Sequence, residues 1–572
     1  MTTTTLHKPA RSASLLTPLI EWPAASNARA VIFLVIFAFV TFLPGFFQIP
    51  PIDRDEARFA QATKQMLETH EFVDIRFQDE VRYKKPVGIY WLQAAAVEAG
   101  AMLGIPDARE RIWLYRIPSL LGALGAVLLT FWAALAFVPR RAAILAGVMM
   151  ASCILLGVEA RLAKTDAVLL FTCVAAMGAM ARLYLADRSG IGPPQARWTE
   201  PAIFWTAMAA GILIKGPLIV MFTALTSLAL IVADRSARWL KLLRPIPGIV
   251  WMLALVLPWF IAILMKSGGS FLQDSVGNDM LAKVASSQEA HGAPPGTYFV
   301  LFWATFWPSS ILAGLAAPYV WRARREPEVR FLLAWLIPSW LVFEIVVTKL
   351  PHYVLPLYPA IAILIARAIA QEELSVRPWL VRGAVWWFVV PLLLTGLGIG
   401  ASIAISREPG LLVWPLAAAT VVIGFFAWRS YRSEGAPRAL LRVGMASVLL
   451  YATLYGVVIP SMTKAFPAPI LARVLQDSGC SNPQAAAVGY QEPSLVFLAG
   501  TKTLLTDANS AADFLAPGGC RFAFVDSRFE SDFLKHAGAI GLQYTLGPRF
   551  DAINISGGRK ITIAVYRAGK TP

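Results

Sequence analysis

Apolar residues in this chain come in long uninterrupted runs. A hydrocarbon core about 30 Å thick is crossed by roughly 20 apolar residues in a helix. Runs of that order recur at 29–47, 114–137, 141–158, 165–186, 199–214, 216–234, 245–265, 297–321, 330–347, 352–371, 380–404, 411–431 and 439–460. The pattern predicts thirteen membrane spans, hence a mainly α, polytopic membrane protein. The first run lacks a small-residue cleavage site and is read as a retained span. From about 463 the apolar stretches shorten to strand length, as in AAAVGY, RFAFVDS and ITIAVYR, between helical patterns such as ILARVLQDSG. That alternation predicts a small α/β domain. The chain thus divides into a tail (1–28), a membrane domain (29–462) and a C-terminal α/β domain (463–572).

The first loop, 48–113, is far longer than a helix connection requires. Within it Ala57, Phe59, Ala60, Met66 and Leu67 recur at helical spacing, and 87–103 forms a second amphipathic stretch containing Glu98. Both predict helices lying at the membrane interface. Counting 87–103 as a span would invert every later loop.

The basic residues give the orientation. Arg140 and Arg141 follow the second run, Arg182 and Arg188 the fourth, Arg235, Arg238, Lys241 and Arg244 the sixth, and alternate loops continue so to Arg438 and Arg442. Cytoplasmic loops retain Arg and Lys, so the N-terminus is expected inside and the C-terminal domain outside. The net charge of +16 is largely this bias, which argues against nucleic-acid binding. Cys153 and Cys173 fall in apolar runs and act as small hydrophobes. Cys480 and Cys520 share the outside domain, where a disulfide and two separate thiols both fit the sequence.

A few outside segments break the charge pattern. Asp53, Arg54, Asp55, Glu56 and Arg58 crowd beyond the first run. Carboxylates so near lipid are costly unless paired or solvated in a cavity, although a helix cap would also use them. Tyr83, Lys84 and Lys85 before Pro86 set a phenol and two ammonium groups at membrane depth, suited to clamping a lipid phosphate; headgroup snorkelling is the plainer alternative. Glu159, Arg161, Lys164 and Asp166 gather between the third and fourth runs, with Thr165 as a cap. Lys215 in IKGP, and Lys349, His352, Tyr353 and Tyr358 in VTKLPHYVLPLYP, call for an anionic partner, of which a lipid headgroup is the simplest. The loop 266–296, with Asp279, Lys283, Glu289 and His291, reads as a polar lid.

The segments DRDEARFA, RYKKP, EARLAKTDAVLLF, LIKGP and TKLPHYVLPLYP, in this order, resemble membrane glycosyltransferases of the GT-C fold in the protein-mannosyltransferase superfamily. More closely, they resemble the aminoarabinose transferases that modify lipid A. The resemblance implies an inverting enzyme of the bacterial inner membrane. It would move 4-amino-4-deoxy-L-arabinose from undecaprenyl phosphate to a lipid A phosphate at the periplasmic face, with the N-terminus cytoplasmic and the C-terminal domain periplasmic. It also implies catalytic positions at Asp55 and Asp166, joined by the neighbouring Glu56, and a carrier-phosphate contact at Lys85. Lys84 stands where close relatives often carry an acid.

The chemistry suits those roles. A departing phosphate needs preorganised cations and donors in a low-dielectric cavity, and Lys85, Arg58, Lys84 and Lys349, with Tyr83, His352 and Tyr353, are the candidates. An acceptor phosphate is already ionised, so Asp55 acts either as base or to position acceptor or aminosugar. No cofactor is required; a divalent cation between outside carboxylates and histidines remains compatible. The alternatives are transfer to another glycolipid, a polysaccharide or a protein hydroxyl, and a lipid-linked-sugar flippase. A flippase should show an internal repeat and midplane charges, and neither is evident.

Overall fold

The structure, a computed structural model, describes residues 17–189, 198–273, 292–406 and 409–569. Residues 1–16 of the tail, and Asp279, Lys283, Glu289 and His291 of the expected lid, lie outside the described residues.

Helices occupy all thirteen apolar runs. In chain order the principal ones are α1 (Thr17–Ala24), α2 (Asn27–Phe42), α3 (Asp55–Thr69), α4 (Gly88–Met102), α5 (Ile112–Ala134), α6 (Arg140–Ser152), α7 (Ile154–Glu159), α8 (Asp166–Arg188), α9 (Thr199–Lys215), α10 (Leu218–Asp234) and α11 (Pro245–Ser267). They continue with α12 (Thr297–Thr305), α13 (Ser310–Arg322), α14 (Pro327–Ile345), α15 (Tyr358–Ala370), α16 (Trp386–Ser406), α17 (Val413–Glu434) and α18 (Ala436–Thr453). Seven helical stretches among the described residues are long and apolar enough to cross a membrane singly, fewer than the thirteen expected. The run 297–321 is not one straight span, because α12 and α13 meet at 119°. Pro308, which has no amide hydrogen to donate, sits at that break. The run 141–158 is likewise divided at Cys153, which has extended backbone between α6 and α7.

Helices α5 and α8 form the centre of the bundle. A Cβ on Gly122 would come within 2.9 Å of the Val168 Cα, so glycine is what lets the two backbones approach. Lipid supplies no driving force for such contacts, so close packing of small residues does.

The C-terminal residues form a five-stranded sheet with helices on both faces. Its strands are β3 (Gln484–Val488), β4 (Leu504–Thr506), β5 (Arg521–Asp526), β6 (Tyr544–Asn554) and β7 (Arg559–Ala568), in the order β4-β3-β5-β7-β6; a small hairpin, β1 (Arg76–Phe77) and β2 (Glu80–Val81), lies in the first loop. Strand β3 pairs in parallel with β4 and β5, and β7 is antiparallel to β5 and β6. Helices α19 (Pro467–Gln476) and α20 (Pro493–Ala499) cover one face. Helices α21 (Ala508–Leu515) and α22 (Glu530–Ala539) cover the other. Cover on both sides explains why β3 and β5 read as continuous apolar runs. Cys480 and Cys520 are bridged, with Cα atoms 5.9 Å apart, and tie together the entries to β3 and β5.

Helix α3 lies between this domain and the membrane helices. Ala57, Phe59, Ala60, Met66 and Leu67 are all buried, so the apolar stripe expected to face lipid instead meets protein. From the other side Gln61 donates to Thr501 at 2.8 Å and Lys64 to the Phe497 carbonyl at 2.9 Å. Phe497 is fully buried and packs edge-on against Tyr115 of α5.

One ion pair fixes the start of α3. Arg116 of α5 and Glu56 are both buried, and the guanidinium reaches the two carboxylate oxygens at 2.8 and 2.9 Å. Arg116 also donates to the carbonyls of Phe46, Ile49 and Pro50, while Glu56 accepts from the amides of Ile52 and Ala163. Glu56, expected beside the catalytic acids, is therefore a structural anchor: its two oxygens accept four hydrogen bonds from the scaffold. Removing one partner of a buried pair strands the other. Arg116→Met should accordingly cost about 3–5 kcal/mol, read as a fall in the thermal midpoint of the detergent-solubilised protein. The double variant with Glu56→Gln should recover part of that loss; equal losses in both would refute the pairing.

Candidate active site

The loop 160–165 between α7 and α8 is fastened from beneath. Its Ala163 amide donates to Glu56 and its Ala163 carbonyl accepts from Gln93 at 3.2 Å, while the Lys164 carbonyl accepts from Ser119 at 3.0 Å. This fixes Glu159 at the end of α7 and Asp166 at the start of α8 across from each other. The end of α9 brings Lys215, and the 3-10 turn Pro351–Leu357 before α15 brings His352 and Tyr353.

These side chains form one buried cluster. Lys164 lies 3.2 Å from Glu159 and 3.8 Å from Asp166, and Lys215 donates to Asp166. The His352 ring stands 3.7 Å from each carboxylate, Nδ1 toward Glu159 and Nε2 toward Asp166, beyond hydrogen-bonding range. Tyr353 packs its ring edge-on against His352, and the Lys215 ammonium lies 5.6 Å from its centroid. Two carboxylates thus face two ammonium groups and an imidazole. Glu159, Asp166 and His352 offer ligand atoms within 4.8 Å of one another, a spacing that a divalent cation could bridge. Lys164 and Lys215 already occupy the same carboxylates, so a metal would have to displace them, and charge balance does not call for one.

Asp55 is the first residue of α3, exposed, and accepts no hydrogen bond among the described residues. Its charge acts on Lys164 and on the hydroxyl of Tyr90. Arg58 is half-buried one turn along. Lys85 is half-buried, donates to the Lys84 carbonyl at 2.8 Å, and its charge reaches His352; Lys84 is exposed.

Two expected phosphate ligands serve the scaffold. The buried Tyr83 donates its hydroxyl to Asp74 at 2.8 Å and packs against Phe271, so its proton is committed to holding the RYKKP segment. Lys349 is buried and donates to the Val346 carbonyl at 2.6 Å, where it caps the end of α14. Arg161 also turns inward, donating to Thr41, Pro44 and Gly157 and stacking on Tyr455 at 4.3 Å. In their place the fold brings in Lys164 and Lys215, each visible in the sequence only as an outside cation, and Arg82. Arg82 is buried over the Phe59 ring at 5.1 Å and shares Tyr90 with Asp55; a basic residue beside two lysines gave no signal to single it out.

An apolar groove of about 310 Å³ runs along α13, α14 and α15, lined by Phe302, Ala316, Val320, Leu336, Trp340 and Leu364. Phe302 packs edge-on against Tyr358, which directly follows the turn bearing His352.

Asp53 joins this loop to the C-terminal domain, accepting from the Ser494 amide at 3.1 Å and from the Tyr490 hydroxyl at 3.4 Å. Burial raises its carboxyl to about 6, against the pull of those bonds. A raised value means that the docked state holds the proton more tightly. The stabilising contribution is therefore full below pH 3.8 and is lost as pH rises through about 6. Asp53→Asn should stabilise the protein above neutral pH by on the order of 2 kcal/mol, read as a higher thermal midpoint, and flatten the pH dependence of unfolding across that window. An unchanged pH profile would show that Asp53 does not set it.

Residues 32–267 match the family described as dolichyl-phosphate-mannose-protein mannosyltransferase. Similar curated proteins are named undecaprenyl phosphate-alpha-4-amino-4-deoxy-L-arabinose arabinosyl transferase. The one from Enterobacter sp. (strain 638) is 26% identical over 60% of this chain and 61% of its own length. The one from Pectobacterium carotovorum is 26% identical over 67% of each chain. The chain thus spans about three fifths to two thirds of the length of these relatives. Crystal structures of ArnT from Cupriavidus metallidurans, apo and bound to undecaprenyl phosphate, superpose with TM-scores of 0.71 and 0.70 at 19% identity, covering 94% of this chain and 98% of that one. The GT-C fold expected from the motifs is therefore the fold of this chain, a multi-pass membrane protein whose residues 32–267 are similar to the protein-mannosyltransferase family.

Proposed function

We propose that this protein is an inverting glycosyltransferase that moves 4-amino-4-deoxy-L-arabinose from undecaprenyl phosphate to a phosphate of lipid A, at the periplasmic face of the bacterial inner membrane. The observation that carries this reading is the buried Glu159–Lys164–Asp166–Lys215–His352 cluster, within electrostatic reach of Asp55 and Lys85, in a helical bundle with an apolar groove alongside. The names of the similar proteins, and the undecaprenyl phosphate in the Cupriavidus structure, support the donor. The alternation of basic loops supports an inside N-terminus and an outside C-terminal domain.

In this scheme an acceptor phosphate oxygen attacks the anomeric carbon from the face opposite the carrier. The bond from that carbon to the carrier oxygen breaks, and its electron pair leaves with undecaprenyl phosphate. Lys85, aided by Arg58 and Lys84, offsets the charge that grows on the departing phosphate. The polyprenyl chain lies in the groove beside α15. Asp166 and Glu159 are held by Lys164 and Lys215, whereas Asp55 accepts no hydrogen bond among the described residues and is placed to receive the amino group of the sugar or orient the acceptor. An ionised acceptor needs no base, and no step requires a cofactor.

Asp55→Asn should abolish transfer with expression unchanged, and Lys85→Ala should slow it by about 10²–10³-fold. Mass spectrometry of lipid A from cells carrying each variant reads both. Full aminosugar decoration with Asp55→Asn would remove that residue from the mechanism.

A further inference from the structure

One polar cavity stands apart from this chemistry. In the C-terminal sheet β3 lies between β4 and β5, so the chain leaves β3 toward β4 on one side, and leaves β5 toward β7 on the other. Where neighbouring parallel strands send their connections in opposite directions, the loops part beyond the carboxyl ends and leave a crevice, the usual ligand site of an open α/β sheet. A cavity of about 710 Å³ lies at that edge here. It draws Gln491 from the loop after β3, Asn509 from the start of α21, Arg528 and Phe529 from the loop after β5, Lys535 from α22, and Arg559 from the first position of β7.

The commitments of these groups define the ligand. Asp507, also on the rim, caps α21 by accepting from the amides of Asn509 and Ser510 at 2.9 and 3.0 Å. Arg528 grips Asp526 at 2.6 and 3.0 Å. Lys535 is exposed and bonds to nothing among the described residues, and the only hydrogen bond of the Arg559 guanidinium among them is to the Gly489 carbonyl at the limiting distance of 3.5 Å, with the Asp526 carboxylate within electrostatic reach. The amide nitrogen of Gln491 donates to the Thr506 carbonyl, which leaves its oxygen to accept. Phe529 exposes its ring to solvent. Gly489, at φ +80°, lets that ring lie against the turn, since a Cβ there would meet it at 2.8 Å. The volume falls within the range of about 300–1,000 Å³ usual for ligand pockets, and the lining is as polar as it is apolar. Two cations with donors to spare suit phosphate. Side-chain amides beside an exposed ring suit the hydroxyls and apolar face of a sugar.

We propose that this crevice is a second binding site, for a phosphorylated saccharide. It is complete within the C-terminal domain and stands without the transferase reading. The same loop after β3 carries Tyr490, and α20 directly after it carries Ser494; both hold Asp53 two residues before Asp55, so the crevice is joined to the membrane site through its wall.

The test titrates the full-length protein in detergent with an acyl-free glucosamine disaccharide bisphosphate and with the same disaccharide without phosphates, each read by saturation-transfer NMR, and adds inorganic phosphate as a competitor that displaces the bisphosphate. The bisphosphate should bind best. Lys535→Glu with Arg559→Glu should weaken it by at least about tenfold, and Lys85→Ala should leave it unchanged. Asn509→Ala, which spares the charges, should weaken it less. Both sets are surface changes whose folding is checked by elution profile. The proposal is overturned by equal binding to the charge-reversed protein, by loss only with Lys85→Ala, by equal binding of the dephosphorylated sugar, or by inorganic phosphate binding as tightly as the bisphosphate.

Discussion

The bidentate contact between Arg116 and Glu56 is the constraint on which the rest of the site depends. A guanidinium and a carboxylate are expensive to take out of water, and this pair offsets that cost only because every remaining donor and acceptor is filled by backbone. Its main effect is positional. Through one carboxylate it joins the exit of the first membrane helix, the start of α3, the first turns of α5 and the loop 160–165. Asp55 and the Glu159–Asp166 pair belong to segments far apart in sequence, and Glu56 is the residue that touches both.

On that frame sits a cluster whose charges compensate internally. Lys164 and Lys215 hold Glu159 and Asp166 in place, and His352 and Tyr353 close the side toward α15. The groups at the edge of the cluster, Asp55 and Lys85, are more exposed than those within it. A buried, self-neutralised interior beside exposed charged groups is the arrangement expected where ionic headgroups must be held at a lipid boundary without stranding a charge.

Much of the fold was legible, because lipid imposes a simple rule: backbone polar groups must be satisfied within the helix, so spans appear as apolar runs. The bend between α12 and α13 was not, since Pro308 and the two serines after it are a short interruption in a run that is otherwise apolar on both sides. Periodicity showed that α3 has one apolar face but not that protein covers it. Asp55 and Glu56 look alike in sequence. One residue of helix turns them about 100° apart, and that rotation alone sends one into solvent and the other into the grip of Arg116. Lys349 and Lys215 both read as outside cations lacking a partner, yet one caps its own helix and the other reaches Asp166. Such differences depend on tertiary approach, which no local pattern records.

The proposed chemistry is a single inverting displacement from a lipid phosphate, driven by these groups. Its most direct test is to incubate the purified protein with undecaprenyl-phosphate aminoarabinose and lipid A, weigh the product, and determine its anomeric configuration by NMR. One pentosamine is expected per modified phosphate, with configuration opposite to that of the donor. Retained configuration, or no transfer by folded protein, would contradict it.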